Sequence, residues 1–239
     1  MLLLPSVYDI GEGNLLVRID RGAERTKATT SKMPWSHVVR IDLPGGRCTG
    51  TLLSQQIVIT AAHCLHSEPL FPPDHITISY APDDQPPQPI AKAAKYFYPD
   101  AWAKSKNAEQ FRNDWAIIRL DRAITRAHFP ALARTLPDLP VPVQQGGFGG
   151  PHANRLAIDD DCALRNRVDL VHDNLYQTNC LIIPGDSGGP LFFHDNGQWH
   201  LIAINIALWG LGDRQLLAMA VTLPKNDAFH QALVRMDTP

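Results

Sequence analysis

The sequence predicts an all-β protein built as a sandwich or a barrel, and three observations support this class. Short apolar runs recur along the chain with turn-forming residues between them, which is the pattern of many short strands. The 239 residues include 20 prolines and 16 glycines, a content that favours frequent turns over long helices. A chain of this length also suits one all-β unit, since such units extend to about 250 residues.

The candidate strands fall into two groups along the chain. Residues 36–43 (SHVVRIDL) alternate in polarity ahead of a Pro-Gly-Gly turn, whereas residues 115–120 (WAIIRL) are mostly apolar and predict a strand buried on both faces. The other candidates are residues 50–61, which form two apolar runs, and residues 75–80, 180–183, 190–193, 200–207 and 216–223. Regular spacing of such short runs indicates a sandwich or a barrel.

Three segments without strand character organise the rest of the chain. Residues 1–5 (MLLLP) are apolar but lack a basic start and a cleavage site, so they do not predict a signal peptide. Residues 136–142 hold three prolines and are predicted to link two halves. Residues 226–236 (NDAFHQALVRM) place Phe229, Leu233 and Val234 near helical spacing and predict a C-terminal helix.

The charge balance argues against two classes of partner. Lys and Arg number 22 against 24 Asp and Glu, which gives a net charge of −2. The chain therefore lacks the basic surface of a nucleic-acid-binding protein and has no electrostatic attraction to anionic membranes. No apolar run approaches the roughly 18 residues of a membrane-spanning helix. We expect neither a nucleic-acid nor a membrane partner.

Four cysteines form an even set: Cys48, Cys64, Cys162 and Cys180. Four cysteines allow three pairings, and spacing alone does not choose among them. The simplest pairing, which follows sequence order, joins Cys48 to Cys64 and Cys162 to Cys180. If these bonds form, the protein belongs to an oxidising compartment.

Residues 185–190 (GDSGGP) are the strongest chemical signal in the chain. Glycines on both sides let Ser187 sit in a tight turn whose own N–H groups can point at one spot. Converging N–H donors are what an oxyanion site requires during attack on a carbonyl. The same composition suits an ordinary polar β-turn, and this motif alone leaves both interpretations open.

Residues 60–64 (TAAHC) supply a candidate general base. His63 ends an apolar run, precedes a cysteine that could fix its position, and belongs to the residue type whose pKa suits proton transfer. The plainer alternative is a partly buried structural histidine, and the other nine of the ten histidines are predicted to lie at the surface. A zinc site at Cys48, His63, Cys64 and His66 does not match the usual ligand spacings. We therefore expect no metal and no cofactor.

Asp114 is the candidate partner for that histidine. It follows Asn113 and directly precedes the apolar run 115–118, so its carboxylate enters a buried strand. A carboxylate in such a place needs a hydrogen-bonding partner, and a histidine N–H would serve. The alternative is a turn residue at the strand start. The acidic run 159–161 also offers carboxylates, but we interpret it as a solvated loop.

Together these motifs resemble those of chymotrypsin-like (trypsin-fold) serine proteases. Residues 60–64 are similar to the family's TAAHC motif, residues 185–190 to its GDSGGP motif, and residues 113–120 to its DIALLxL strand. The order histidine, aspartate, serine is that family's order and not that of subtilisins or α/β-hydrolases. The resemblance runs from about residue 24 to about residue 223 and includes residues 146–149 (GGFG), where the family has a G-[WY]-G turn.

The resemblance implies two packed six-stranded antiparallel β-barrels with a catalytic cleft between them. Residues 1–23 would be an N-terminal segment and a candidate for processing. Residues 24–135 would form the barrel that carries the histidine and the aspartate. Residues 136–239 would form the barrel that carries the serine, followed by the C-terminal helix.

The resemblance also implies a role for each motif residue. Ser187 would attack the peptide carbonyl, His63 would take and return the proton, and Asp114 would orient His63. The N–H groups of Gly185 and Ser187 would bind the oxyanion. A bond between Cys48 and Cys64 would match the family's histidine-loop disulfide.

The family alignment assigns a substrate pocket as well. Leu181 lies six residues before the nucleophile, at the pocket floor, and Ile182 follows it. Asn205 occupies the wall position where V8-like enzymes carry a Glu-binding histidine, and Leu217 falls on the opposite wall. An apolar lining cannot compensate a buried charge, so we expect an uncharged, apolar side chain at P1, the residue before the scissile bond.

The chain departs from the digestive members of the family. Ile183 stands where those enzymes have a cysteine, and residues 22–26 (GAERT) resemble the start of V8-like glutamyl endopeptidases. These features point to bacterial secreted relatives. Members that mature by cleavage bury a new amino terminus against the aspartate before the serine, here Asp186. Residues 18–22 (RIDRG) are a poor match to the IVGG start of such a terminus but are the available candidate.

Two functions of different classes follow, an active serine endopeptidase and a catalytically silent trypsin-fold binding protein. The three triad residues and the glycines of the serine turn are all present, which favours the enzyme. We expect polypeptide substrates, a monomer, and a secreted or periplasmic location.

Overall fold

The computed structural model describes residues 25–67, 69–126, 128–150, 153–168, 174–211, 214–223 and 226–238. It describes the backbone alone at residues 107–108, 207–211 and 214–217. The predicted N-terminal segment 1–23 and the candidate cleavage region 18–22 lie outside the described residues.

The first barrel closes through six antiparallel strands in the order β2-β3-β4-β7-β6-β5. Their bounds are β2 Val38–Leu43, β3 Gly46–Leu52, β4 Ile57–Thr60, β5 Thr77–Tyr80, β6 Gln88–Phe97 and β7 Ala116–Leu120. Apolar side chains of β2, β4, β5 and β7 fill the interior, among them the fully buried Ile41, Ile59, Ile78 and Ile117. The strand predicted at residues 115–120 is therefore present and almost entirely buried.

The second barrel closes through β9-β10-β11-β14-β13-β12, because β9 pairs with both β10 and β12. These strands are β9 Val141–Gly147, β10 Ala157–Arg167, β11 Leu175–Thr178, β12 Pro190–Asp195, β13 Gln198–Leu211 and β14 Arg214–Thr222. The short strand β8, Ala131–Leu132, adds to β13 in parallel. The predicted fold class, two six-stranded antiparallel barrels with a C-terminal helix, is confirmed.

A segment from each end of the chain packs against the barrel that the other half of the chain forms. The short strand β1, Thr26–Lys27, pairs with β10 of the second barrel. The C-terminal helix packs on the first barrel, where the Phe229 ring lies 5.4 Å from that of Trp115 in an edge-on contact. The sheet of the second barrel thus includes a strand from before the predicted boundary between residues 135 and 136, and a helix from after that boundary packs on the first barrel.

Four helices interrupt the strands of the described chain: α1 Ala62–Leu65, α2 Asp100–Lys104, α3 Asn107–Arg112 and α4 Asp227–Asp237. The side chain of Asn226 caps α4 by accepting the N–H of Phe229 over 3.1 Å. Phe229, Ala232 and Met236 form the buried face, whereas Val234 is 70% exposed and does not belong to the core. None of the described helices is long and apolar enough to cross a membrane.

One histidine was placed wrongly by sequence reasoning. His37 is buried, not at the surface, because it ends a short 3-10 turn, Trp35–His37, that is wholly inside the protein. Its ring lies 5.0 Å from that of Phe129 and its Nδ1 is 3.0 Å from the Ser36 hydroxyl. His37 therefore has an aromatic and a polar contact that stabilise it in the core.

Candidate active site

His63 and Asp114 meet because the strands that carry them are neighbours. β4 ends at Thr60 and pairs with β7 at Ala116, so the helix that follows β4 faces the residue that precedes β7. Asp114 Oδ2 lies 2.7 Å from His63 Nδ1, and Oδ1 accepts the backbone N–H of His63 over 2.9 Å. This arrangement places the proton on Nδ1 and leaves Nε2 as an acceptor.

The protonation of His63 depends on two opposing effects. Burial lowers the pKa of His63, while the charge of Asp114 and its hydrogen bond raise it by more, so the pKa lies above the ordinary value of 6.5. The Asp114 side chain is 3% exposed and that of His63 is 33% exposed. The imidazole of His63 thus has one side anchored by a buried carboxylate and an edge that is exposed.

The serine turn is folded tightly around Asp186. The N–H of Asp186 donates to the carbonyl of Ile183 over 2.9 Å, and the N–H of Gly189 donates to the carbonyl of Asp186 over 2.8 Å. Gly185 has a φ of 105° and Gly188 a φ of 77°, which are conformations that glycine adopts readily. The backbone requirement explains why glycines flank the serine.

Two N–H groups of this turn are available as donors. The N–H groups of Gly185 and Ser187 have no hydrogen-bond partner within the described part of the chain. Ser187 itself is partly exposed, whereas Asp186 and Gly188 on either side of it are buried. The turn therefore presents a hydroxyl and free N–H donors at the surface, which is the composition of an oxyanion site.

Thr49 joins the serine turn to the first barrel. Its N–H donates to the carbonyl of Ser187 over 2.9 Å, and its hydroxyl donates to the carbonyl of Gly185 over 2.9 Å. The same hydroxyl accepts the N–H of Phe148 over 3.0 Å. The Thr49 carbonyl accepts the hydroxyl of Thr60, which lies at the end of β4, over 2.8 Å. One residue of β3 thereby connects the serine turn to the strand that leads to His63.

The close approach of the two barrels also requires Gly188. A Cβ at this position would lie 2.1 Å from Thr60 Oγ1 and 2.7 Å from the backbone nitrogen of Ala61. Any larger residue would push the serine turn away from the segment that carries His63. The sequence motif thus contains a packing requirement in addition to its backbone requirement.

The sulfur atom of Cys64 lies close to both the His63 ring and Ser187. Cys64 Sγ lies 3.9 Å from His63 Nε2 and 3.8 Å from the carbonyl oxygen of Ser187. Within the described residues, the Ser187 hydroxyl is not hydrogen-bonded to His63. The structure therefore forms the contact between His63 and Asp114 and places His63 Nε2 and the Ser187 carbonyl oxygen near the same Cys64 sulfur atom.

The two predicted disulfides are confirmed. Cys48 is bonded to Cys64 and Cys162 to Cys180. The first bond anchors α1, which carries His63, to β3. Because Cys48 and Cys64 are oxidised, their sulfurs cannot act as thiolate ligands in the zinc site considered above. His66 instead places its Nδ1 3.1 Å from the Tyr98 hydroxyl.

Asp186, directly before Ser187, is paired with Arg25. Arg25 Nη1 donates to Asp186 Oδ2 over 2.5 Å, and the two side chains are 2% and 0% exposed. The N–H groups of Gly149 and Ile183 also donate to the carboxylate, over 2.8 and 2.9 Å. Burial raises the pKa of Asp186 above its ordinary value, and Arg25 and these N–H groups offset only part of that rise.

Sequence reasoning missed Arg25. The sequence offered only a freed amino terminus near residues 18–22 as the partner of Asp186. The signal for Arg25 lay in residues 22–26, the segment noted for its resemblance to V8-like enzymes. The pairing of β1 with β10 brings Arg25 to the serine turn, and 161 positions separate the two charges.

The residues assigned to the substrate pocket differ in their burial. Ile182 is buried in the core of the second barrel, and Leu181 is partly exposed. Asn205 is fully buried beside the turn, since its carbonyl accepts the N–H of Gly188 over 2.7 Å. Neither the oxygen nor the nitrogen of the Asn205 amide has a hydrogen-bond partner in the described residues. The side chain of Leu217 lies outside those that the structure describes.

The acidic run 159–161 is not a solvated loop. These residues belong to strand β10, where Asp160 and Asp161 point to solvent and Asp159 is buried. Asp159 Oδ2 accepts the N–H of Leu181 over 2.8 Å and Oδ1 accepts the N–H of Asp161 over 3.3 Å. Asp159 pairs with Gln145 of β9, and the pairing resumes at Cys162, so Asp160 and Asp161 lie in an irregular stretch within the strand.

Solved structures support the fold. A Glu endopeptidase in complex with MPD has a TM-score of 0.68 at 16% identity, over 90% of this chain and 97% of that one. An inactivated protease paralogue of the scabies mite, S-D1, has a TM-score of 0.67 at 16% identity, over 88% and 95%. Because one neighbour is named an endopeptidase and the other an inactivated paralogue, this likeness establishes the architecture and not the activity.

Sequence comparisons establish the family. The CLIP domain-containing serine protease B10 of Anopheles gambiae is 25% identical in an alignment 229 residues long that covers 78% of this chain. The chain spans 62% of the length of that relative. The family model described as Trypsin matches residues 23–225. Since this match covers most of the chain and all three candidate catalytic residues, the protein belongs to the trypsin family of serine proteases.

Proposed function

We propose that this protein is a serine endopeptidase that hydrolyses peptide bonds through His63, Asp114 and Ser187. The observation that carries the proposal is the 2.7 Å contact between His63 Nδ1 and Asp114 Oδ2, beside a turn with unpartnered N–H groups. A structural histidine would not need both a buried carboxylate on one side of its ring and a partly exposed ring. The pair instead suits a base that must gain and lose a proton.

The reaction begins when Ser187 Oγ attacks the carbonyl carbon of the scissile peptide. The hydroxyl proton passes to His63 Nε2, and the Asp114 carboxylate stabilises the resulting imidazolium. The negative charge on the former carbonyl oxygen is held by the N–H groups of Gly185 and Ser187. Serine–histidine hydrogen bonds are often long in unliganded sites and tighten in the substrate complex, so this contact forms as the peptide binds.

The second half of the reaction releases both products. The tetrahedral intermediate collapses, and the leaving amine takes the proton from His63 as the C–N bond breaks. An acyl group then remains on Ser187. Water gives a proton to His63 and attacks the acyl carbon, and the proton returns to Ser187 as the carboxylic acid leaves. Atoms and charges balance without a metal or cofactor.

An uncharged P1 side chain suits the pocket. Ile182 is buried among apolar side chains, Leu181 is apolar and the Asn205 amide is neutral, so no described residue of the assigned set compensates a buried charge. We expect preference for apolar P1 residues. A library of peptides varied at P1 tests this, and strong preference for Arg, Lys or Glu over Leu, Phe, Val and Ala would contradict it.

The two disulfides bear on location. Bonds between cysteines persist in secreted and periplasmic compartments and are rare where glutathione keeps thiols reduced. The structure contains both bonds and no free cysteine among the described residues. We therefore propose that the protein acts outside the reducing cytosol. We also propose that its substrates are polypeptides and that it is a monomer. A non-reducing peptide map of the native protein would reveal the two linked peptide pairs.

A fluorophosphonate probe tests the proposed function. The folded protein should become covalently labelled at Ser187, and Ser187→Ala should abolish the labelling. Ser187→Ala or His63→Ala should lower peptide turnover by several orders of magnitude, leaving about 10³–10⁴ over water from binding and the oxyanion site. An unlabelled, correctly folded protein that still binds polypeptides would instead identify a trypsin-fold binding protein.

A further inference from the structure

The guanidinium of Arg25 occupies a fixed place in the second barrel. Strand β1, which begins at the next residue, pairs with β10 and sets the backbone position. Arg25 Nη2 then donates to the carbonyls of Ala157 and Gly147 over 2.5 and 3.2 Å, while Nη1 donates to Asp186. Three acceptors on three segments hold the planar group, so it is a built part of the site and not a surface charge.

The socket around the Asp186 carboxylate is closed. A Cβ at Gly147 would lie 2.3 Å from Asp186 Oδ1, and a Cβ at Gly149 would lie 2.6 Å from the same atom. The carboxylate already accepts two N–H groups and one guanidinium N–H, and its side chain is 0% exposed. Charge and space in this socket are therefore both taken up by Arg25.

The position of Asp186 sets the direction of the oxyanion donors. The Ser187 N–H belongs to the peptide that follows Asp186, and the Gly185 N–H belongs to the residue before it. Moving the carboxylate would disturb the contact from Ile183 N to Oδ2 and with it the turn from Ile183 to Asp186. A preorganised donor loses its value when its direction changes, since oxyanion binding depends on geometry.

We propose that Arg25 is a positioning residue that holds the oxyanion turn through Asp186, in the role that a newly freed amino terminus would otherwise fill. The catalytic site is therefore complete without cleavage on the N-terminal side of Arg25. This inference rests on the proposed endopeptidase function. It goes beyond that function by stating how the site is assembled and that its assembly is not under proteolytic control.

The first measurement concerns the uncut chain. The full chain carrying Arg18→Gln and Arg21→Gln lacks the basic residues of the candidate cleavage region, and its amino terminus is verified by intact mass. We expect this protein to react with a fluorophosphonate at the rate of the unmodified chain. Reaction that appears only after a new amino terminus is generated between residues 18 and 22 would overturn the inference.

The second measurement separates positioning from general stability. Arg25→Met removes the charge, Arg25→Lys keeps it but loses the fork, and Arg47→Met is the matched control. Arg47 donates to the carbonyls of Phe148 and Gly150, over 3.1 and 2.9 Å, and thus contacts the same loop without contacting Asp186. Near-ultraviolet circular dichroism establishes that each variant is folded.

The expected pattern is a loss in kcat with KM unchanged. Removal of an oxyanion donor lowers kcat by about 10²–10³, and Arg25→Met should approach that loss. Its affinity for a peptide aldehyde, which forms a tetrahedral adduct, should fall equally, while Arg25→Lys retains intermediate values and Arg47→Met stays near the unmodified protein. If Arg25→Met does not fold, Arg25→Lys alone must lower kcat without raising KM.

The contradicting outcomes are distinct. A folded Arg25→Met protein with unchanged kcat and aldehyde affinity would overturn this inference and leave the endopeptidase function intact. A rise in KM alone would assign Arg25 to substrate binding and overturn it as well. An unmodified chain that never reacts with the probe, cut or uncut, would overturn the proposed function and this inference with it.

Discussion

The backbone N–H of Thr49, on a strand of the first barrel, donates to the carbonyl oxygen of Ser187, on a turn of the second, over 2.9 Å. The histidine belongs to one barrel and the serine to the other, so the proposed reaction depends on the alignment of two separately closed sheets. The Thr49 hydroxyl adds bonds to the Gly185 carbonyl and the Phe148 N–H. A side chain in a β-strand of one barrel thus holds the serine turn of the other.

Thr49→Val should lower kcat by a factor that corresponds to more free energy than the variant loses in folding stability. Valine has the same shape as threonine, but it leaves the Gly185 carbonyl and the Phe148 N–H without a partner, at a cost of about 1–3 kcal/mol. We expect KM to change little because Thr49 is fully buried and does not contact a bound peptide. Turnover of a peptide substrate and urea unfolding test this, with Thr51→Val as control, because the hydroxyl of Thr51 has no hydrogen-bond partner in the described residues. Equal effects of the two variants would contradict the role of Thr49.

The activity should fall on the acid side of a pKa above 6.5. His63 acts as a base only when neutral, and Asp114 holds the pKa of His63 above that ordinary value. Asp114→Asn removes the interactions that raise the pKa and leaves burial, which lowers it, so the acid limb of kcat/KM should move to lower pH. The rate should also fall by about 10⁴, since the correct tautomer is lost. A pH–rate profile of both proteins checks the direction, and an upward shift would contradict it.

The same pair predicts how stability depends on pH. The pKa of His63 is raised in the folded state, so the protonated pair stabilises the fold below about pH 6.5, the value for an exposed histidine. That contribution is lost as the pH rises through the folded-state pKa. Urea unfolding of the unmodified protein and of His63→Gln, at acidic and alkaline pH, should show the larger difference at acidic pH. A larger difference at alkaline pH would refute the assignment.

The two disulfides should differ in their effect on activity. Each closes a short loop, with separations of 16 and 18 residues, and removal of either should cost about 3 kcal/mol. Only Cys48–Cys64 anchors the helix that carries His63. We expect the Cys48→Ala, Cys64→Ala double variant to lose turnover while folded, and the Cys162→Ala, Cys180→Ala variant to lose mainly stability. Equal turnover per folded molecule in the two variants would contradict this.

Gly147→Ala should damage the site through Asp186. The new Cβ would lie 2.3 Å from Asp186 Oδ1, and a carboxylate held by three donors cannot move without losing some of them. We expect a destabilisation of about 1–3 kcal/mol from overpacking and a fall in fluorophosphonate reactivity. Gly46→Ala is the matched control because nothing lies within 4 Å of its Cβ position. Full fluorophosphonate reactivity of Gly147→Ala would contradict this prediction, because it would show that the turn accommodates the added Cβ beside Asp186.

Asn205→Leu should stabilise the protein and narrow its substrate choice. Both polar atoms of the buried Asn205 amide lack a partner in the described residues, and an apolar side chain of similar size removes that cost of about 1–3 kcal/mol. Against the P1 library, apolar residues should gain relative to Gln and Asn. Thermal unfolding and the library measure the two effects. A loss of stability would show that the amide is satisfied in the folded protein.

The motifs of the chemical site were readable in the sequence because their constraints are local. Ser187 needs glycines beside it for backbone reasons, His63 is followed by the cysteine that anchors it, and Asp114 directly precedes an apolar strand. Each constraint acts within a few positions and therefore leaves a short pattern. The strand-rich fold was predictable for the same reason, since polarity alternation and turn residues repeat over short distances.

The sequence by itself thus determined the fold class and the three candidate catalytic residues, and it left three cysteine pairings open, of which the structure contains the one that follows chain order. The tertiary structure decided which distant groups meet. Arg25 pairs with Asp186 across 161 positions, and Asp159 accepts the N–H of Leu181 although Asp160 and Asp161, which follow it, are exposed. Such contacts depend on strand register and barrel closure, which bring together residues that share no local pattern. A single charged side chain carries no mark of its partner until the sheet that aligns the two has formed.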